Sequence, residues 1–199
     1  MNAVIAGFAT PVLSAQKTFR AALNALARPG TIHPLTAELS APAPLSSAAA
    51  ALALTLCDYD TPLWLDAGLR SANAVVDWLR FHCGSPIIED PGAAAFAIVS
   101  TPSELPPLDH FNPGLPDYPD RSATLVLQLG SLRSGPQLLL EGPGIRGSQL
   151  FRASPLPRNI GAQLMANHAL FPRGVDLILL AEREVAALPR SVRIVRKDS

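Results

Sequence analysis

Asp58 and Asp60 stand two residues apart in a polar island, with Tyr59 and Thr61, inside an otherwise apolar run from 52 to 65. Paired carboxylates can divide general acid and general base work between them, or hold Mg²⁺ on a phosphorylated substrate. They can equally form a turn, with Asp60 organising the step from Thr61 into Pro62 and Asp58 meeting an arginine. The sequence leaves both readings open. If the alanine-rich run before the island is helical, Asp58 falls at its C-terminus, where the helix dipole disfavours an anion by about 0.3–1 kcal/mol. Something has to offset that charge.

Other candidates are spread along the chain. Arg80 and His82 fall at the end of a predicted helix, where a protonated imidazole suits the dipole. Arg173 and Asp176 flank Gly174 at a strand start, and Arg190 follows a strand between Pro189 and Ser191. Only Lys17 and Lys197 are lysines among sixteen basic residues. Arginine suits bidentate contacts to carboxylate or phosphate, although a coding bias accounts for its excess equally well. His33, His82, His110 and His168 are too scattered to spell a metal set, and His168 shares a helical face with Ile160 and Leu164, which reads as core. GPGIRG at 142–147 has the spacing of a dinucleotide fingerprint, but Pro155 leaves no room for a long helix after it and no acid follows about 20 residues on. It reads as a turn. Neither a phosphate loop with its lysine nor a G-x-S-x-G elbow is present in the sequence. Cys57 and Cys83 form no C-x-x-C pair and read as reduced core thiols.

These groups need a frame to hold them. The 199 residues suit one domain with a sizeable core, and with 48% apolar and only 16% charged residues part of the surface is expected to be covered by a partner. Zero net charge gives no pull toward nucleic acid or anionic membrane. No run reaches the roughly 18 apolar residues of a membrane span, so a cytoplasmic protein is expected. Helical spacing predicts an amphipathic helix over 14–27, with Ala15, Phe19, Ala22, Leu23 and Leu26 recurring and Lys17 and Arg20 elsewhere. Residues 31–34 read as a short strand. A second helix over 45–56, capped from Ser46 or Ser47, is apolar nearly all round, for the core or a subunit interface. Residues 62–65 read as a buried strand, and a third helix starts at Ser71 and stops at Gly84. Residues 94–100 and 123–129 read as strands, joined by a long proline-rich loop of the kind that is functional, disordered or draped on a partner. Residues 137–141 are expected to pair with 123–129 as a hairpin around Ser134 and Gly135. A helix over 157–170, a buried strand over 174–181 and a terminal β segment over 184–188 and 191–195 complete an α/β fold: a single domain with a mixed sheet flanked by helices.

Several motifs in order carry a family resemblance: Phe19 and Arg20, ARPG at 27–30, LTLCDYDTPLWL at 54–65, LRFH at 79–82, GPGI at 142–145, Phe171 and Pro172, and GVDLILL at 174–180. The chain resembles PhnH, the H subunit of the bacterial carbon–phosphorus lyase core complex, over about residues 8–195. The resemblance implies a cytoplasmic homodimer whose fold is a reduced relative of the pyridoxal-phosphate-dependent transferases, without the cofactor. A pyridoxal enzyme needs a Schiff-base lysine, and the only lysines stand on the first predicted helix and in the basic tail at 196–199. No cofactor or metal is therefore expected. The resemblance also implies partners, the G, I and J subunits, in an assembly that converts alkylphosphonate and ATP to ribose 1-phosphonate 5-triphosphate with loss of adenine. It transfers no catalytic residue. The expected role is an accessory, non-catalytic subunit, with the 45–56 helix and the proline-rich loop as docking surfaces; the alternative is a substrate- or nucleotide-binding enzyme subunit centred on Asp58 and Asp60.

Overall fold

Proline is at home in the first turn of a helix, and α1 accordingly runs Pro11–Ala27, three residues longer at its start than the sequence predicts. The turn at Arg28, Pro29 and Gly30 stops it and leads to β1 (His33–Pro34). The computed structural model describes residues 5–36 and 38–195, so the basic tail at 196–199, with Lys197, lies outside the described residues. Ser46 caps α2 (Ser47–Leu56), its hydroxyl accepting the Ala49 N–H at 3.2 Å. After β2 (Leu63–Leu65), the single helix predicted from Ser71 is two, α3 (Ala67–Ser71) and α4 (Asn73–Cys83). They part because Ala72 leaves helical angles (φ −87°, ψ 91°). Then come β3 (Ile87–Ile88), β4 (Phe96–Val99), β5 (Thr124–Gln128), β6 (Gln137–Glu141) and β7 (Gln149–Arg152). The chain continues through α5 (Ile160–Ala169), β8 (Asp176–Ala181), β9 (Glu184–Leu188) and β10 (Arg193–Val195).

Seven strands form one mixed sheet in the order β1-β9-β8-β5-β4-β2-β3, and β10-β6-β7 form a second, antiparallel sheet. Within the first, β8, β5, β4, β2 and β3 are parallel, while β9 runs antiparallel to β8 and β1. The α/β class stands, but the expected hairpin does not. β5 pairs in parallel with β4 and β8, whereas β6 pairs with β7 and β10. The strand sequence explains this: Leu125, Val126 and Leu127 are all buried, which suits an interior strand covered on both faces rather than one arm of a two-stranded ribbon. The expected terminal β segment is likewise divided, with β9 in the large sheet and β10 in the small one.

Alternate residues of the parallel strands feed two apolar clusters. Trp64, Ala97, Val99, Leu125, Leu127, Leu177 and Leu179 point to one; Leu63, Leu65, Ile98, Val126, Ile178 and Leu180 point to the other. The second face is covered by the first four helices. Ala48 to Ala53 of α2 are all buried there, so this helix belongs to the chain's own core and is no docking surface. The first face is covered by α5, the small sheet and the proline-rich loop. That loop is not draped outward. It folds into short 3-10 turns that bury Leu105, Leu108 and Phe111, and the Phe111 ring meets Trp64 edge-on at 5.5 Å between centroids.

α1 is rotated from the predicted face: Ala22 is buried as predicted and Ala15 and Leu26 are half-buried, but Phe19 and Leu23 are not on the inward side. Thr18, Ala22 and Ala25 point inward against α2 and β9, where small side chains let the helix approach closely. Phe19 and Leu23 point outward, 50% and 52% exposed.

Phe111→Ala should cost about 3–5 kcal/mol, as for other buried aromatic truncations, and lower Tm by about 10 °C in thermal unfolding of the isolated chain. An unchanged Tm would restore the reading of the loop as a partner-bound segment.

Candidate functional site

The sequence candidates gather at the amino edge of the parallel strands, in two places. The first is the entry to β2. Thr61 donates its hydroxyl to Asp58 Oδ1, the Asp60 N–H donates to the same oxygen at 3.0 Å, and the Asp58 N–H donates to Thr61 Oγ1 at 2.7 Å. The Thr61 hydroxyl first, and the Asp60 amide second, hold the Asp58 carboxyl below its usual range. The anion disfavoured by the end of α2 is thus offset by donors within its own turn, and the expected arginine partner is replaced by Thr61. The Thr61 carbonyl in turn accepts the Ser85 hydroxyl. Asp60 is exposed, as is Arg80 on the last turn of α4. His82 donates Nε2–H to the Ile5 carbonyl at 2.9 Å, which also accepts the Trp78 indole N–H at 2.8 Å. His82 and Trp78 therefore tether the start of the chain to α4.

Cys57 and Cys83, at the ends of α2 and α4, are free and half-buried. Burial first, then the nearby Cys83 and Asp58, push the Cys57 thiol up; burial pushes Cys83 up to about 11. Neither supplies a thiolate nucleophile at neutral pH.

The second place is the start of β8. Arg190 grips Asp176 through Nε (3.1 Å to Oδ1) and a terminal nitrogen (2.5 Å to Oδ2), while its backbone N–H donates to Oδ1 at 2.8 Å. Its other terminal nitrogen donates to the Pro119 carbonyl at 2.5 Å, and its own carbonyl accepts the His168 Nδ1–H at 3.1 Å. One guanidinium, 14% exposed, so ties β8 to the end of the proline-rich loop. Arg173 is half-buried just before β8, with its N–H on the Leu170 carbonyl at 3.0 Å. The structure brings Asp176 and Arg190 into contact, and both are occupied by each other.

GPGIRG at 142–147 forms the link between antiparallel β6 and β7, and no helix follows it. Gly144, at φ 80°, lies where a Cβ would stand 2.2 Å from the Ala27 carbonyl oxygen, so the glycine serves close packing on the end of α1.

Open α/β sheets bind ligands at the opposite, carboxyl edge, where neighbouring strands send their connections in opposite directions. Here that point lies between β2, which leads outward to β3, and β4, whose continuation lies inward at β5. Asp66 fills it. This buried carboxylate caps α3 by accepting the Leu69 N–H at 3.0 Å, and accepts the N–H groups of Ser100 (2.6 Å) and Thr101 (2.9 Å) from the end of β4. The Ser100 hydroxyl adds a further bond at 2.9 Å. Asp66 is a latch across the switch point, with its oxygens spent on this chain's own donors. Further along the edge, Gln128 accepts the Ser46 N–H at 2.5 Å and donates to the Pro44 carbonyl at 3.2 Å, fixing the start of α2. Sequence reading passed over Asp66; its signal was an acid directly after a buried strand and three residues before an apolar position, the pattern of a helix cap.

Among the described residues no group of three or more His, Cys, Asp or Glu side chains is placed to hold a metal ion, and no helix is long and apolar enough to cross a membrane. The sequence model of the family described as bacterial phosphonate metabolism protein (PhnH) matches residues 6–195. A relative from Rhizobium meliloti (strain 1021), named alpha-D-ribose 1-methylphosphonate 5-triphosphate synthase subunit PhnH, is 40% identical over 190 residues, covering 96% of this chain and 94% of the relative. HtxG of Stutzerimonas stutzeri, which bears the name of a C-P lyase subunit protein, is 30% identical over 189 residues, covering 92% of this chain and 87% of its own.

Asp66→Ala should strand the donors of Leu69, Ser100 and Thr101, costing about 3 kcal/mol and lowering Tm by about 6–12 °C. A Tm within about 2 °C of the parent would show that the latch contributes little.

Proposed function

The chain belongs to the PhnH family of bacterial phosphonate metabolism proteins, and from that premise we propose that it is an accessory, non-catalytic subunit of a carbon–phosphorus lyase complex. In that role it supports the conversion of alkylphosphonate and ATP to ribose 1-phosphonate 5-triphosphate, with G, I and J subunits as its partners. The carrying observation is the outer face of α1. Val12 is 82% exposed, Leu13 58%, and Phe19 and Leu23 about half, on a helix that already buries its small-residue face in the chain's own core. Four large apolar side chains on one element are more than scattered surface residues and suit an interface. Phe81 on α4, 70% exposed, adds to the apolar surface of the same helical layer.

The polar clusters support the non-catalytic part of the reading. We assign Asp58 and Asp60 to the turn that shapes the entry to β2, Asp176 and Arg190 to the tie between sheet and loop, and His82 to the tether of residue 5. Arg80 and Arg173, the former exposed and the latter half-buried, are left as interface candidates. Cytoplasmic location, dimerisation of the isolated chain and a single domain over 1–199, with the family resemblance over about 8–195, belong to the same proposal. The single domain is supported by a sheet that joins β1 near one end of the chain to β9 near the other. So does descent from a pyridoxal-phosphate-dependent transferase fold. The seven-stranded mixed sheet is compatible with that ancestry, and Lys17 stands exposed on outer helix α1 rather than at the carboxyl edge of the sheet.

Co-expression with tagged G, I and J subunits tests the assignment. The parent chain should co-purify in stable proportion, and Phe19→Asp with Leu23→Asp should weaken assembly about 100-fold, because two interface side chains of this size contribute about 3 kcal/mol together. Tm should stay within about 2 °C of the parent, since both side chains already face water. Phosphonate-dependent growth should fall with assembly. A parent chain that never enters the complex would overturn the role; a double variant that assembles normally would overturn the use of α1.

A further inference from the structure

A cavity of about 350 Å³ lies between the turn that ends α1 and the edge strand β7 of the small sheet. The turn comes this close because residue 30 is glycine. At φ 76° a Cβ there would stand 2.7 Å from Leu140 Cδ1 and 2.9 Å from Gln149 Cγ. The depth of the cavity is apolar, with Leu132 and Phe151 nearly fully buried and Ile32 beside them. Its mouth carries two guanidinium side chains, Arg133 and Arg152, both exposed. Ser131 bridges Ser154 while Gln137 pairs with Arg152, so residues 132–136 loop out beside the end of β7 and carry Arg133 to the same mouth.

Two like charges at one mouth repel, and among the described residues only one is neutralised. Arg133 gives both terminal nitrogens to Glu184, the longer contact at 2.8 Å. No ion pair among the described residues involves Arg152. The site therefore holds one guanidinium outside any ion pair among the described residues, beside a small apolar floor. Forked guanidinium donors match tetrahedral phosphorus oxyanions in a bidentate manner, and the volume falls at the lower end of small-ligand sites.

We propose that this cavity binds a phosphorus oxyanion carried on a small organic group, the anion held by Arg152 and the organic part set against Leu132 and Phe151. The choice of phosphorus over carboxylate rests on the functional reading above; the anion site itself rests on the cavity and its unpaired charge.

Isothermal calorimetry and thermal shift on the full isolated chain test it, with phenylphosphonate, phenyl phosphate, inorganic phosphate and benzoate as probes. Either phenyl phosphorus compound should bind more tightly than inorganic phosphate or benzoate, and the stronger of the two tells a phosphonate site from a phosphate site. Arg152→Ala should weaken that binding about tenfold or more, while Arg158→Ala, which removes an exposed arginine on the approach to α5, should leave it unchanged. Absence of binding by either phenyl compound would overturn the site. Equal loss in both variants would do the same, since it would mean diffuse charge attraction. Benzoate binding as tightly as phenylphosphonate would overturn the phosphorus class. None of these outcomes bears on co-purification with the partner subunits, so the two readings fail separately.

Discussion

A parallel sheet has to be covered on both faces, and almost everything else in this chain follows from that requirement. Leu177 and Leu179 look one way from β8 while Ile178 and Leu180 look the other, and the pattern repeats along β5, β4 and β2. Neither face can be left to water. The alanines of α2 let a helical layer lie flat on one side, and the proline-rich loop, too irregular to form a helix, covers the other by burying Leu105, Leu108 and Phe111. Once both faces are closed, polar side chains are confined to the two edges of the sheet, and there each carboxylate or guanidinium that is buried must find its partner nearby.

The two edges have different work. At the amino edge, Asp58 closes its own turn and Arg190 joins β8 to the loop that covers the sheet. At the carboxyl edge, where this topology usually receives a ligand, Asp66 joins β2 to β4. A fold that spends its best-placed carboxylate on its own backbone gives up a site for chemistry and gains a rigid body. Rigidity is what an accessory subunit needs if its contribution is a fixed surface: the ordering cost is met in the free chain rather than on assembly.

Much of this was legible in the sequence, and the failures have physical causes. The cap at Ser46, the buried strands at 63–65, 96–99 and 176–181, and the stop at Gly84 each rest on local rules that tertiary context did not overturn. The hairpin expectation failed because Gly135, at φ 99°, does turn the chain, but out of the large sheet and into a new one; nearness in sequence was mistaken for pairing. β3 is two residues long and β7 carries Gln149 and Arg152, so neither announces itself. The face of α1 was predicted in rotated form because periodicity ranks Phe19 and Leu23 above Thr18 and Ala25, whereas close packing on the alanines of α2 favours the small residues. Asp66 escaped notice because its meaning depends on Ser100 and Thr101, more than thirty residues away. The motif around Asp58 was informative about family and about a turn.

That rotation of α1 is what connects fold to the proposed function. A helix that hides its small side chains and shows its large ones is solvent-facing only until something covers it. Backbone hydrogen exchange, compared between the free chain and the chain assembled with the G, I and J subunits proposed as its partners, tests this directly. The account predicts that amides across α1, Pro11–Ala27, exchange more slowly in the assembly. Unaltered exchange throughout α1, with new protection appearing on other elements, would contradict it.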